Sequence, residues 1–126
     1  EIIEVSDEKT PDNASETVEE AIRNKEGERL LKYIRDDAFV ITLEIAGEQL
    51  TSEKFAEKIN TLGIRGTSYI QFVIGGSIGL GKEVLKRSDY GLSFSKMTFP
   101  HQLMRLILTE QIYRAFKINA NEEYHK

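Results

Sequence analysis

Three apolar runs, residues 38–45 (AFVITLEI), 69–74 (YIQFVI) and 91–94 (GLSF), read as strands, and the stretches between them carry helical spacing. β-Branched and aromatic residues dominate the first two runs, and a glycine follows soon after each, at Gly47 and Gly75. The first run is therefore expected to end in a turn at Ala46-Gly47. Phe55, Ala56, Ile59 and Leu62 share one helix face behind a cap at Ser52, and residues 82–87 form a short helix. A last helix over residues 101–116 places Leu103, Leu106, Ile107, Glu110, Tyr113 and Phe116 at helical spacing, a row that can face its own core. Strands alternating with helices over short loops imply an α/β domain. Its sheet is mostly parallel with helices on both faces, and ligands are expected at the carboxyl ends of the strands.

Upstream, Ile2-Ile3-Glu4-Val5 reads as a strand already under way, with no initiator Met before it. Residues 8–15 (EKTPDNAS) form a polar loop, and Thr17 with Glu20 fits a capping box for a helix over residues 18–35. Val18, Ile22, Leu30, Leu31 and Ile34 supply its buried stripe. Gly27 inside that helix costs about 1 kcal/mol against Ala, so a bend or a close approach to a neighbour is expected there.

At 126 residues and 40% apolar content, the chain has material for one packed core, and a single domain over residues 1–126 is expected. No run approaches the roughly 18 uncharged apolar residues that cross a bilayer, and the first ten residues lack the pattern of a signal peptide. A soluble, cytoplasmic protein without membrane contact is the expectation. The absence of cysteine removes disulfides, thiolate nucleophiles and Cys-based zinc sites, and no metal site is expected. A net charge of −4 argues against a free-standing nucleic-acid binder. Residues 96–126, however, carry five basic and three acidic side chains plus both histidines, against 12 basic and 18 acidic before them. That quarter either faces RNA or is an ordinary solvated helix end.

Gly75-Gly76-Ser77-Ile78-Gly79-Leu80-Gly81-Lys82 joins a strand to a helix, where backbone amides can cradle an anion or a cofactor. The bland reading is that these glycines only turn a corner. Gly76 to Lys82 satisfies the first seven positions of a nucleotide-binding P-loop, but Glu83 stands where a Ser or Thr would hold magnesium. Its carboxylate would oppose a triphosphate, and the dinucleotide fingerprint G-x-G-x-x-G is absent as well.

Phe94-Ser95-Lys96-Met97-Thr98-Phe99 precedes Pro100, which is suited to starting a helix just ahead of His101. Exposed backbone groups in such a loop can read an adenine edge, with Phe94, Met97 and Phe99 as apolar contact; alternatively these three are ordinary core. For the polar residues that follow, the bland readings are that His101 caps its helix, Arg105 forms a surface ion pair, and Tyr124 and His125 fray with the terminus.

Residues 92–105 (LSFSKMTFPHQLMR), with Phe72-Val73-Ile74-Gly75-Gly76-Ser77 upstream and the closing Tyr124-His125-Lys126, carry a family resemblance. The chain resembles the RlmH family of ribosomal RNA methyltransferases, within the knotted SPOUT superfamily, over essentially its whole length. The resemblance implies a C-terminal deep trefoil knot, a feature that periodicity cannot predict. It implies bent S-adenosylmethionine held by Leu43, Gly75, Gly76, Phe94, Ser95, Lys96, Met97, Thr98 and Phe99. The implied reaction is methylation of N3 of a pseudouridine in large-subunit ribosomal RNA within the assembled ribosome. His101, Arg105, Tyr124 and His125 are its implied catalytic residues, with the tail folded over the cofactor site of a homodimer.

Two departures stand out. Members of that family begin further upstream, with a strand, a turn and a helix, and close relatives tend to have Arg and Pro where this chain has Ala120 and Glu123. A catalytically impaired fragment acting as a dimeric cofactor- or RNA-binding module is the competing expectation.

Overall fold

The first apolar run becomes the central strand because its alternate side chains serve two different cores. In the computed structural model, which describes residues 2–5, 10–76 and 78–125, Phe39, Ile41 and Leu43 point into one cluster and Ala38 and Val40 into the other. The elements run α1 (Glu16–Leu31), β1 (Ala38–Gln49), α2 (Ser52–Ile64), β2 (Tyr69–Val73), α3 (Lys82–Arg87), β3 (Tyr90–Ser93) and α4 (His101–Asn119). Ser77, Lys126 and the first two residues of the polar loop at 8–15 lie outside the described residues.

The sheet has the order β2-β1-β3 and both pairings are parallel, in register from Ala38 opposite Tyr69 and from Ile41 opposite Tyr90. On one face, Ile41 and Leu92 pack with Phe55, Ala56 and Ile59 of α2 and Ala115 of α4. On the other, Val40 and Val73 pack with Val84 of α3, and Leu30 and Leu31 of α1 close over them. The α/β architecture with helices on both faces is thus the observed one. Among the described residues, no helix is long and apolar enough to cross a membrane.

Several boundaries differ from expectation for local reasons. Residues 2–5 form no strand and instead border a cleft. α1 starts earlier, because Ser15 Oγ accepts from the Val18 amide at 3.2 Å; Thr17 lies inside the helix and is not its cap. That helix also stops at Leu31, four residues before Arg35, and Val18 is exposed where the stripe was expected to be buried. Thr51, not Ser52, caps α2, accepting from the Lys54 amide at 3.1 Å.

β1 does not end at Ala46-Gly47. Leu43 and Glu48 both stand opposite Leu92, so residues 44–47 bulge out before pairing resumes at Glu48 and Gln49. A Cβ on Gly47 would lie 2.7 Å from the Gly91 carbonyl, a backbone approach that only glycine permits. Gly27 does meet a neighbour closely: a Cβ there would sit 3.1 Å from Val84 Cγ2 of α3.

Candidate functional site

All three strands run in parallel, so their carboxyl ends share one edge, and the loops at 74–81 and 94–100 leave that edge on opposite sides of β1. Two clefts form there. The first, about 360 Å³, follows the outer edge of β2, which has no strand partner on that side among the described residues. Gly75 and Gly76 border it, as do His101 and Arg105 from the first turns of α4.

Within the glycine loop, Gly75, Gly76 and Gly81 answer to packing contacts, whereas Gly79 has open space around it and a φ of 90° that favours glycine. A Cβ on Gly75 would lie 2.9 Å from the Gly79 backbone, so the loop itself demands glycine there whatever it binds. Gly76 faces the buried Glu26 of α1, whose Oε1 would stand 3.3 Å from a Cβ. Gly81 lies against the Arg23 carbonyl of α1, 2.7 Å from a Cβ. Lys82 forms an ion pair with Glu20 at 3.9 Å, and Glu83 pairs with Lys86 at 3.5 Å. The P-loop-like spacing therefore serves the contact between α1 and α3, and the lysine that would meet a phosphate is engaged elsewhere.

The second cleft, about 300 Å³, lies between the end of β3, the start of α2 and the middle of α4. Leu50, Phe55, Leu92, Phe94, Phe99 and Ile107 make its walls apolar, and Ser52, Ser95 and Gln111 add polar groups. Ser52 Oγ and Gln111 Oε1 are joined at 2.8 Å, tying α2 to α4 across it. The loop at 94–99 folds on itself: Ser93 Oγ donates to the Ser95 carbonyl at 3.0 Å, and Ser95 Oγ accepts from the Met97 amide at 3.0 Å. Phe94, Ser95 and Phe99 thereby turn inward, while Lys96, Met97 and Thr98 are exposed, Met97 at 70%. Leu43 does not border the cleft itself but pairs in register with Leu92, which does.

The tail docks on the last helix. Tyr124 donates its hydroxyl to Glu110 Oε2 at 2.9 Å and stands edge-on to Tyr113, with ring centroids 4.9 Å apart. Glu110 also accepts from Arg114 at 2.6 and 3.1 Å, and Arg114 places NH1 3.0 Å from His125 Nδ1. The other ring nitrogen of His125 meets Glu53 of α2. Hydrogen bonds from Arg114, then from Tyr124, hold the Glu110 carboxyl below the usual glutamate range against the opposing effect of burial. The same Glu110 contact raises the Tyr124 phenol and the Arg114 guanidinium.

Glu53, Glu110 and Arg114 were not among the candidates read from sequence. The i, i+4 spacing of Glu110 and Arg114 signals an ion pair on one helix face, but nothing local signals Glu53, 72 residues from His125. His101 and Arg105 stand apart from Tyr124 and His125: at a rise of roughly 1.5 Å per residue, His101 and Arg114 are about 20 Å apart along α4. Within one chain, the four candidate catalytic residues thus form two pairs, not one cluster. Among the described residues no hydrogen bond or ion pair engages the Arg105 guanidinium. None of the described His, Asp and Glu side chains group in threes as a metal site.

The second cleft fits a nucleoside-bearing cofactor. Its volume is at the lower end of the usual range for small-molecule sites, three phenylalanines and three aliphatic side chains offer an adenine-sized apolar wall, and hydroxyl and amide groups stand at its rim. Gly75 and Gly76 border the other cleft, and Leu43, Lys96, Met97 and Thr98 line neither, so the expected cofactor residues are not gathered at one cleft.

A family model described as "Predicted SPOUT methyltransferase" matches residues 1–125. Three similar proteins are each called "Ribosomal RNA large subunit methyltransferase H". The one from Bifidobacterium adolescentis is 69% identical over 125 residues, covering 99% of this chain and 79% of the relative. With the same coverage, those from Bifidobacterium animalis subsp. lactis and Clostridium novyi are 64% and 60% identical.

Proposed function

The chain belongs to the SPOUT methyltransferase family, and from that premise we propose that it methylates N3 of a pseudouridine in large-subunit ribosomal RNA within the assembled ribosome. The single observation that carries this reading is 69% identity, over 99% of the chain, to a protein whose name states ribosomal RNA methyltransferase. S-adenosylmethionine is the methyl donor in this reading, and when bound it supplies an electrophilic methyl group on its sulfonium.

Phe94, Ser95 and Phe99 hold the donor's nucleoside in the second cleft, against the layer that contains Leu43 and Leu92. In this reading the backbone of the exposed stretch Lys96, Met97 and Thr98, between the cleft-lining Ser95 and Phe99, also contacts the donor. The chain has little bond chemistry to perform beyond this: it must hold sulfur, methyl and N3 in line, and help the N3 proton leave. His101, Arg105, Tyr124 and His125 are assigned those tasks. Arg105, without a side-chain partner among the described residues, is suited to an RNA phosphate, and a histidine is suited to the proton.

The reading includes one domain, the trefoil knot at the loop of residues 94–99, and a homodimer. An exposed apolar row supports the dimer: Leu103, Leu106, Tyr113 and Phe116 are 43–66% exposed on α4, whereas Leu108 and Ala115 face the core. Of the row expected from periodicity, these four are thus not core within one chain, while Ile107 and Glu110 are half-buried. In this reading one subunit's tail contributes to the other's site, which would join the two separated pairs.

Transfer of a labelled methyl group from S-adenosylmethionine to ribosomes that lack the modification tests the proposal, with the acceptor nucleotide identified by mass spectrometry of digested RNA. Label on N3 of one pseudouridine is the expected result. Donor binding without transfer would favour a cofactor- or RNA-binding module.

A further inference from the structure

We infer that Glu53 is a positioning residue that keeps the His125 proton on Nε2 and so makes Nδ1 the basic nitrogen of the tail; this rests on the methyl-transfer reading above. The His125 ring is held between two elements, with Glu53 of α2 at Nε2 and Arg114 of α4 3.0 Å from Nδ1. A guanidinium has only N–H donors and no acceptor, so Nδ1 must offer Arg114 its lone pair. A carboxylate accepts, so Nε2 must carry the hydrogen and donate it to Glu53. The opposite tautomer would set N–H against N–H on one side and lone pair against carboxylate on the other. Doubly protonated imidazole would also lose the Arg114 contact. The two partners therefore select one neutral tautomer.

In the docked tail Arg114 covers that lone pair. Arg114 is itself held by Glu110, which also receives the Tyr124 hydroxyl, so the covering group is part of a charge-assisted network. Phosphate oxygens bind a guanidinium bidentately and carry full charge, whereas Nδ1 offers one neutral lone pair. A phosphate of the RNA substrate would draw NH1 away from Nδ1 and uncover it, while Glu53 keeps the ring in place. The proton step then balances simply. The N3–H bond of the base breaks, a bond from that hydrogen to Nδ1 forms, and the electron pair left on N3 is available to the methyl group. The resulting imidazolium faces the Glu53 carboxylate, which stabilises its charge.

Long-range proton–nitrogen correlation spectra of the full ¹⁵N-labelled chain test this directly. The chain has two histidines, and a His101→Asn variant assigns their signals. In the parent chain His125 should show a protonated Nε2 and an unprotonated Nδ1. Glu53→Ala should shift it toward a mixture of tautomers and lower kcat about tenfold at unchanged KM, the order expected when a general base is misplaced, and Glu53→Asp should recover part of both. A parent chain with the proton on Nδ1, or a Glu53→Ala variant with an unchanged tautomer or an unchanged kcat, would overturn the inference. Should the chain transfer no methyl group at all, the methyl-transfer reading fails, while the spectra alone still decide whether Glu53 sets the tautomer.

Discussion

Gly47 and Gly91 meet backbone to backbone, with 2.7 Å between the Gly91 carbonyl and the point where a Cβ on Gly47 would stand. The bulge at residues 44–47 crosses β3 at this contact, so the shape of the carboxyl edge depends on it. Gly47→Ala is expected to destabilise the fold by about 1–3 kcal/mol, as overpacking does, and to lower the thermal midpoint seen by circular dichroism. Gly63 is the control: it lies within α2 with open space around it, and Gly63→Ala should stabilise by roughly 0.5–1 kcal/mol.

Acid should release the tail. Glu110 has a folded-state pKa below its unfolded one, so its contribution is complete above the ordinary glutamate value and is lost as pH falls through the depressed value. The Tyr124 ring resonances should therefore move toward those of a free tyrosine in that acidic window, and Glu110→Gln should show them moved already at neutral pH. Tail signals independent of both pH and Glu110 would contradict the docking.

Phe94→Ala and His101→Ala should separate the two clefts. Phe94 borders the smaller one and His101 the larger. Loss of the Phe94 ring should weaken donor binding about tenfold, in line with an aromatic contact worth about 1 kcal/mol or more. His101→Ala should leave donor affinity within about twofold, read by calorimetry, and act on turnover instead.

Removal of residues 124–126 should lower turnover more than donor affinity, because Tyr124 and His125 dock on Glu110, Arg114 and Glu53, none of which borders either cleft. Equal activity of the shortened chain would take the tail out of the mechanism.

Much of the fold was legible wherever a local signal coincides with a tertiary one. The limits of α3 match the expected residues 82–87, and Pro100 marks the start of α4, because both follow from spacing and backbone chemistry. The continuation of β1 past Gly47 was not legible, since a glycine held by a distant backbone looks like a turn glycine in sequence. Gly81 misled in the same way: its reason is the Arg23 carbonyl on α1. Periodicity on α4 found a face, yet it could not say that Leu106 and Phe116 meet solvent while Leu108 and Ala115 meet the core. Of the site, the loop of residues 94–99 and the closing Tyr124 and His125 stood out through their motif, whereas Glu53 entered only through a contact that no local pattern encodes.

Calorimetric titration of the purified chain with S-adenosylmethionine, and separately with its demethylated product, tests the central claim most directly. Saturable binding at one site per chain, weakened by Phe94→Ala, is the predicted result. A folded sample that binds neither compound would contradict the assignment of a methyl-donor site to this chain.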